Sequence, residues 1–188
     1  MVKKLSEMTL EELWELFPIV LTEHKAEWVE QYEMMSADLK KKLSSRKVVR
    51  ISHIGSTAIN SIWAKPIVDI LVEIAPTEDL RAVSDMITNG GFIKMSESEK
   101  RMSFNFGYTQ NGFAEKVYHL HLRFDGDNNE LYFRDYLNEY PDVAKEYEHM
   151  KLVLWHEYEH NRDAYTEAKT EFVEKYTFAA RKQYGNRY

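Results

Sequence analysis

Cysteine is absent from the sequence, which excludes disulfide bonds, thiolate nucleophiles and zinc sites built from cysteine. No apolar run approaches the roughly 20 residues that a membrane-spanning helix needs. The basic N-terminal residues Met1 to Lys4 are followed by polar and acidic residues rather than by the apolar segment of a signal peptide. We therefore expect a cytoplasmic protein that does not bind a membrane.

Positive charge is in deficit as well, since 25 lysines and arginines face 31 aspartates and glutamates, a net charge of −6. This balance argues against a broad nucleic-acid-binding surface but leaves room for a local basic pocket. Apolar residues make up 44% of the 188 residues, which is enough for a substantial core. We expect one domain over residues 1–188, and the oligomeric state stays open.

The hydrophobic period changes along the chain and predicts an α+β (or α/β) fold. Helical spacing predicts N-terminal helices in residues 1–45, the first opened by a capping box at Thr9 and Glu12. A sheet region is expected in 46–125. A helical C-terminal part follows in 130–185, broken near residues 160–163.

Within the sheet region, runs rich in β-branched residues and stretches of alternating residues predict the strands. Strands are expected over 48–54, 67–74 and 92–95, and a helix over 77–89. A hairpin is expected from 102–108 and 116–124, with a loop longer than two residues around Asn111 and Gly112. The strand over 67–74 is apolar enough to be buried on both faces.

The candidate site starts from a turn and an acid. Gly55 and Ser56 end one strand, and successive amides in such a turn can form a nest for an anion, with Ser56 and Thr57 adding hydroxyl donors. Fourteen positions after Gly55, Asp69 lies inside an apolar strand, where a buried carboxylate needs a partner or a metal. Lys65 could neutralise phosphate charge. The alternative is that Asp69 caps a loop or pairs with Lys65.

Four segments in order resemble the GrpB family, which is assigned to the nucleotidyltransferase superfamily. The segments are His53-Ile-Gly-Ser-Thr-Ala through Pro66-Ile-Val-Asp69-Ile, Tyr118-His-Leu-His121, Leu131-Tyr-Phe-Arg-Asp-Tyr-Leu137 and Arg162-Asp-Ala-Tyr through Phe172. They span nearly the whole chain. The resemblance implies a nucleotidyltransferase-like mixed β-sheet flanked by N-terminal helices and two long C-terminal helices.

The sequence departs from the superfamily pattern of Gly-Ser, two neighbouring acids and a third acid on a later strand. Leu71 stands where the second acid is expected, and Glu73 shares the strand face but lies about 7 Å further along. No third acid is evident. His119 and His121 occupy a later strand instead and share a face with Arg123.

The resemblance implies a set of site residues. Asp69 would hold Mg²⁺ or Mn²⁺, with Glu73 as a further metal ligand, and His119 or His121 would be the base for the acceptor. Phosphates would be bound by the following residues: Gly55, Ser56, Thr57, Lys65, Arg123, Arg134 and Lys169. His53, Asp163 and Tyr165 would support the site. The alternatives are that His119 and His121 form a metal-binding, phosphate-binding or structural pair, that His53 orders a loop and that Tyr165 packs in the core.

One further motif is set aside. His156-Glu157-Tyr158-Glu159-His160 matches the H-E-x-x-H zinc pattern, but the polar residues 161–163 follow at once and no third ligand is evident. We read it as a solvated helix end.

Two functions are consistent with these features. The first is an enzyme that transfers a nucleotidyl group from a nucleoside triphosphate to an unknown acceptor with a divalent metal. The second is a catalytically inactive module that binds a nucleotide or another phosphate-bearing small molecule on the same fold, because the second carboxylate is missing. A regulator that acts through its helices is a weaker third possibility.

Overall fold

A computed structural model describes residues 3–188 of the chain. Its N-terminal part contains α1 (Leu10–Leu16) and α2 (Glu27–Lys42). The capping box is confirmed: the Glu12 amide donates to Thr9 Oγ1 at 3.3 Å, and the Thr9 amide donates to Glu12 Oε2 at 2.7 Å. No helix within residues 3–188 is long and apolar enough to cross a membrane.

Five strands form one mixed sheet in the order β1-β2-β5-β4-β3. They are β1 (Val48–Ile54), β2 (Val68–Ile74), β3 (Ile93–Glu97), β4 (Arg101–Thr109) and β5 (Gly112–Phe124). β2 runs parallel to β5, while the three other pairings are antiparallel. The helix α3 (Leu80–Asn89) links β2 to β3 and is capped by Asp79 rather than near Thr77 as expected.

The hairpin of β4 and β5 is tighter than the sequence predicted. Thr109 pairs with Gly112, so only Gln110 and Asn111 lie between the strands. The prediction of a longer loop is wrong because β4 and β5 extend beyond the segments in which apolar and polar residues clearly alternate. The additional residues have the sequence pattern of a loop. Pairing continues into these residues after a register shift between Phe106 and Tyr108. A simple alternating pattern in the sequence does not reveal this shift.

Four helices follow the sheet: α4 (Asn129–Glu139), α5 (Pro141–Tyr158), α6 (Arg162–Glu167) and α7 (Thr170–Tyr184). The break near residue 160 is confirmed, but the expected last helix is divided at Ala168 and Lys169. Because α5 ends at Tyr158, His160 of the set-aside zinc motif lies outside the helix that carries His156.

The two faces of the sheet pack against different helices because side chains alternate along a strand. On one face, Val68, Ile70 and Val72 of β2 join an apolar core with residues of α2 and α3. On the other face, Leu71 packs with Ile54 and with Leu131 of α4. This second face also presents Asp69 and Glu73. It therefore turns the acids of β2 toward the C-terminal helices.

Candidate functional site

The turn, the acid and the first histidine lie in one row across three strands. In the pairing of β1 with β2, Ile54 lies opposite Asp69, and in the pairing of β2 with β5, Asp69 lies opposite His119. The turn that begins at Gly55 therefore follows β1 beside Asp69. Three segments that are distant in sequence meet because β2 is central and pairs with both neighbours.

Gly55 is required at this meeting point. Its φ is +71° and its ψ is −172°, a region that is essentially reserved for glycine. A Cβ at this position would lie 2.3 Å from Asp69 Oδ2 and 2.9 Å from Asp69 Cγ. The backbone of the turn thus approaches the carboxylate as closely as a residue without a side chain allows.

Asp69 interacts with both histidines through the same oxygen. His119 Nδ1 lies 3.2 Å and His121 Nε2 3.6 Å from Asp69 Oδ1. Burial raises the pKa of the Asp69 carboxyl, but the interactions with His119 and His121 outweigh it and hold that pKa well below its usual value. Burial also lowers the pKa of His119, so the ring is neutral at neutral pH while Asp69 is ionised.

The partners of the two rings determine which nitrogen carries the proton. Arg162 Nη2 donates to Tyr108 Oη at 3.0 Å, and that hydroxyl lies 2.8 Å from His119 Nε2. Because the ionised Asp69 carboxylate only accepts, His119 Nδ1 carries the proton of the neutral ring, and Nε2 accepts from the Tyr108 hydroxyl, which in turn accepts from Arg162. Arg123 Nη2 similarly donates to His121 Nδ1 at 3.3 Å, which leaves the proton on Nε2. His119 therefore donates to Asp69 Oδ1, His121 Nε2–H lies 3.6 Å from the same oxygen, and Oδ2 is left on the side of Gly55.

A cavity of about 650 Å³ opens in front of Asp69 and is bounded by the sheet, α4, α5 and α7. Its walls include the expected residues Gly55, Ser56, Lys65, Asp69, His119, His121, Tyr165 and Lys169. Lys151, which the sequence interpretation did not identify, lines it as well. The sheet contributes the acid and the histidines, while the helices contribute most of the positive charge.

Three lysines line this cavity, and the amine of each lies over a tyrosine ring. The amines of Lys65 and Lys169 lie 5.1 and 4.3 Å from the ring centroid of Tyr165, and the amine of Lys151 lies 4.8 Å from that of Tyr147. Among residues 3–188, no carboxylate oxygen lies within 4.0 Å of any of the three amines. Lys151 is 1% exposed and donates to the carbonyl of Trp63.

Burial is the main cause that lowers the pKa of each lysine. It lowers the pKa of Lys151 to about 7 and that of Lys169 to about 8, and it lowers the pKa of Lys65 well below its usual value. The nearby charge of Lys169 adds to the effect for Lys65 and for Lys151. The charges of Asp69 (for Lys65 and Lys169) and Glu148 (for Lys151) act in the opposite direction but offset only part of the burial effect. Buried cations that are only partly compensated are costly, so this region is electrostatically suited to an anion.

The structure corrects the expectation that Glu73 binds a metal. Glu73 is fully buried, and its carboxylate accepts two hydrogen bonds from Arg50 at 2.6 and 3.2 Å. It also accepts from Asn128 Nδ2 at 2.9 Å and from the Gly126 amide at 3.3 Å. Glu73 does not line the cavity. Its oxygens are already occupied by groups that join β1, β2 and the loop after β5.

The prediction that three further residues bind phosphate is also corrected, because none of them lines the cavity and their donors are bonded to other groups. Thr57 Oγ1 donates to the carbonyl of Ile67 at 3.3 Å. Arg123 donates to the carbonyls of Met102 and Leu122, both at 3.0 Å. Arg134 Nη1 donates to the carbonyl of His53 at 2.8 Å, and its Nε donates to Asp135 at 2.8 Å.

Of the three residues expected to support the site, only Tyr165 lines the cavity. His53 stacks on Tyr32 and lies 2.9 Å through Nε2 from Thr57 Oγ1, and burial lowers its pKa to about 4. This contact joins the end of β1 to the turn that follows it. Asp163 is exposed in the first turn of α6, whereas Tyr165 on the same helix is buried and lines the cavity.

Lys151, Tyr108 and Arg162 are the important residues that the sequence interpretation missed. A signal existed for Lys151, because the buried residues of α5 are Ala144, Tyr147, Lys151 and Leu154, at intervals of three and four. A lysine on the apolar face of an amphipathic helix is unusual. For Tyr108 and Arg162, the contact with His119 joins β4, β5 and α6, and no local pattern indicates it.

The donor set does not form a metal site by itself. Within residues 3–188, no group of three or more histidines and acids is arranged to hold a metal ion. Asp69 Oδ2 is the carboxylate oxygen left over by the two histidines. Mg²⁺ commonly uses one or two carboxylates together with substrate phosphates and water. The residues therefore fit a cation that arrives with a phosphate ligand, rather than one held by the protein alone.

Comparisons with known proteins agree with this arrangement of elements. The chain is 31% identical over 163 residues to the glutamate-rich protein GrpB of Alkalihalophilus pseudofirmus, a match that covers 84% of this chain and 92% of that protein. The solved structure of the conserved protein GrpB from Enterococcus faecalis aligns with a TM-score of 0.75 at 28% identity, covering 88% of this chain and 99% of that one.

A more distant likeness identifies the wider fold. The structure of Cid1 in complex with the UTP analog UMPNPP aligns with a TM-score of 0.50 at 12% identity, covering 78% of this chain and 44% of that chain. At this identity the likeness shows the fold alone, which is nucleotidyltransferase-like. A family model described as GrpB protein matches residues 18–178, and the chain belongs to the GrpB family.

Proposed function

We propose that the cavity binds the phosphates of a nucleoside triphosphate and that the protein transfers a nucleotidyl group from it to an acceptor. The observation that carries this proposal is the cluster of Lys65, Lys151 and Lys169. Their amines face one cavity, and no carboxylate of residues 3–188 lies within 4.0 Å of them. A polyphosphate supplies the charge that such a cluster lacks, because each phosphate oxygen accepts hydrogen bonds from ammonium groups.

The phosphates would extend from the lysines to the turn at Gly55. Ser56 lines the cavity beside that turn and offers a hydroxyl donor. The close approach of the Gly55 backbone to Asp69 keeps the turn and the acid in one place, so a phosphate held by the turn lies against the carboxylate. The two anions repel each other, so this arrangement suits a phosphate that brings a divalent cation with it.

In the proposed transfer the acceptor oxygen forms a bond to the α-phosphorus, and the bond from this phosphorus to the oxygen that bridges to the β-phosphate breaks. Pyrophosphate and the acceptor proton are released. Lys65, Lys151 and Lys169 would stabilise the charge that develops on the leaving pyrophosphate. Asp69 would hold a divalent cation such as Mg²⁺ or Mn²⁺, which would supply further neutralisation of charge.

The contacts of His119 and His121 favour a structural role over the role of base that the sequence suggests. Each ring directs an N–H at Asp69 Oδ1, and the other nitrogen of each ring accepts from Tyr108 or Arg123. Neither ring has a lone pair free for an acceptor proton in this arrangement. We propose that the histidines position Asp69 rather than act as bases.

A second candidate is a module that binds the nucleotide without turnover. Leu71, which replaces the second acid of the superfamily, is fully buried against Ile54 and Leu131, and Glu73 is committed to Arg50. No neighbouring acid of β2 therefore assists Asp69. Binding would persist under this alternative, but pyrophosphate would not be released.

Calorimetry with each nucleoside triphosphate tests the binding step, with and without Mg²⁺ or Mn²⁺. We expect binding that Lys151→Met and Lys169→Met each weaken at least tenfold, whereas Lys182→Met, an exposed lysine near the end of α7, leaves it unchanged. Equal effects of all three substitutions, or no binding under any metal condition, would refute the lysine cluster as the phosphate site.

Pyrophosphate release separates the enzyme from the binding module. Asp69→Asn keeps the shape of the side chain and removes its charge. If the protein is an enzyme, we expect this variant to lose pyrophosphate release while nucleotide binding persists. Binding by the unaltered protein without any pyrophosphate release, across a panel of hydroxyl-bearing acceptors, would favour the module.

A further inference from the structure

The outer end of the cavity differs chemically from its lysine end. Phe178 on α7 lines the cavity and is 73% exposed, a high value for a large aromatic side chain. Val173 and Thr177 of the same helix lie on the cavity wall beside it. An isolated exposed aromatic needs no explanation, but an aromatic ring at the mouth of a cavity that also contains lysines offers a flat surface on which a ligand can stack.

Glu130 gives this end a second distinctive feature. It lies in the first turn of α4 and lines the same cavity. Its Oε2 is buried without a hydrogen-bond partner, and no cation of residues 3–188 lies within 4.0 Å of the carboxylate. An ionised carboxylate only accepts hydrogen bonds, so this group is complementary to a ligand that brings an N–H or O–H donor.

Phe178 and Glu130 lie at the same end because α7 and α4 are tied together there. Arg181, one turn beyond Phe178, donates through Nε to Asn129 Oδ1 at 2.6 Å. Lys169 precedes α7 at the opposite end, nine residues before Phe178, which corresponds to roughly 13 Å along a helix. The cavity therefore runs from the lysine end to an end that carries Phe178, Glu130 and the cation Arg181, over a length that suits an extended nucleotide.

We propose that Phe178 and Glu130 form a binding site for a nucleobase that carries an amino group, as cytosine and adenine do. The base stacks on the Phe178 ring, and its exocyclic amino group donates to the Glu130 carboxylate. Uracil presents a carbonyl oxygen where cytosine presents that amino group, and a carboxylate cannot donate to it. This inference rests on the proposed binding of phosphates at the lysine end.

Cytosine and uracil provide the sharpest comparison, because the two bases differ at this edge while their rings are similar. We would measure by calorimetry the affinities of CTP, UTP and inorganic tripolyphosphate for the unaltered protein. We expect CTP to bind at least tenfold more tightly than UTP, and tripolyphosphate to bind as well, since it occupies the lysine end alone.

Two substitutions examine the two contacts separately. Glu130→Gln supplies an amide that both donates and accepts, so we expect the preference for CTP over UTP to disappear. Phe178→Ala removes the stacking surface, so both nucleotides should lose between about fivefold and a hundredfold in affinity. Tripolyphosphate binding should stay unchanged in both variants. Met34→Ala on α2, which removes another exposed apolar side chain (63% exposed) away from the cavity, is the control.

The outcomes distinguish this inference from the proposed function. If tripolyphosphate binds but CTP and UTP bind equally well, or Phe178→Ala changes nothing, the nucleobase site is refuted and the phosphate site remains. If neither tripolyphosphate nor any nucleotide binds, the proposed function fails, and the nucleobase site fails with it. Both altered side chains lie at the cavity wall, and thermal unfolding of each variant will verify that it is folded.

Discussion

Substitution of Gly55 by alanine tests the close approach of the turn to Asp69. The φ of +71° and ψ of −172° are unfavourable for a residue with a Cβ, at a cost of about 1–3 kcal/mol. The new Cβ would also lie 2.3 Å from Asp69 Oδ2, far inside contact distance. Relieving such a clash costs about 1–3 kcal/mol more.

A second glycine separates the two costs. Gly126 has a φ of +87°, and no atom lies within 4 Å of a Cβ placed there. Gly126→Ala therefore bears a backbone cost without a clash. We expect Gly55→Ala to be about 1–3 kcal/mol less stable than Gly126→Ala, which corresponds to a melting temperature lower by roughly 2–4 °C per kcal/mol.

Urea unfolding followed by tryptophan fluorescence measures this difference, since the chain has four tryptophans. In an Asp69→Ala background two of the three clashing atoms are gone, so Gly55→Ala should cost less there than in the unaltered chain. The reasoning is refuted if Gly55→Ala and Gly126→Ala are equally stable, or if the effects of Gly55→Ala and Asp69→Ala on the free energy of unfolding are additive.

Three further predictions concern groups around the cavity. Glu73→Ala should destabilise the protein by about 3 kcal/mol, which is the low end for a broken buried ion pair because Arg50 is partly exposed. The substitution should leave nucleotide affinity unchanged. A loss of affinity without a loss of stability would instead support Glu73 as a metal ligand. Tyr108→Phe removes the donor to His119 Nε2 and should cost about 1–3 kcal/mol of stability. The Nε2 resonance of that ring should shift in the nitrogen NMR spectrum because the nitrogen loses its hydrogen-bond donor; an unchanged resonance would contradict the proton assignment. Because Lys151 and Lys169 have pKa values of about 7 and 8 when folded, against about 10.4 when unfolded, the unfolded chain binds more protons between these limits. The free energy of unfolding of the ligand-free protein should therefore rise with pH from about 7 to about 10, while tripolyphosphate affinity falls as the lysines lose charge; the opposite trends would exclude these lysines.

Local patterns in the sequence were sufficient for much of the fold. The capping box at Thr9 needs only residues within one helical turn, and the apolar run of β2 identifies a central strand by itself. The hairpin loop was misjudged because the register shift after Phe106 depends on how β4 pairs with β5. Pairing across strands is a tertiary property, and the alternation of a single strand does not record it.

The sheet side of the candidate site was predicted from the sequence, whereas on the helical side Lys169 and Tyr165 were predicted and Lys151 was missed. Asp69 and Glu73 look alike in the sequence, since both are acids on the same face of β2. What separates them is their surroundings: Arg50 and Asn128 occupy the Glu73 carboxylate, whereas Asp69 lies between a turn and two histidines. The partners of each acid come from distant parts of the chain, so no spacing rule along β2 could distinguish a structural acid from a functional one.

The helical side of the site follows from a different physical constraint. Lys65, Lys151 and Lys169 come from a loop, from α5 and from the start of α7, yet they meet around Tyr147 and Tyr165. Folding alone does not favour this meeting, because burial penalises each charge and the amines repel one another. A protein can retain such an arrangement when a bound anion repays the cost. The lysines are therefore stronger support for a phosphate ligand than the Gly55-Ser56 turn, whose glycine is already explained by its contact with Asp69.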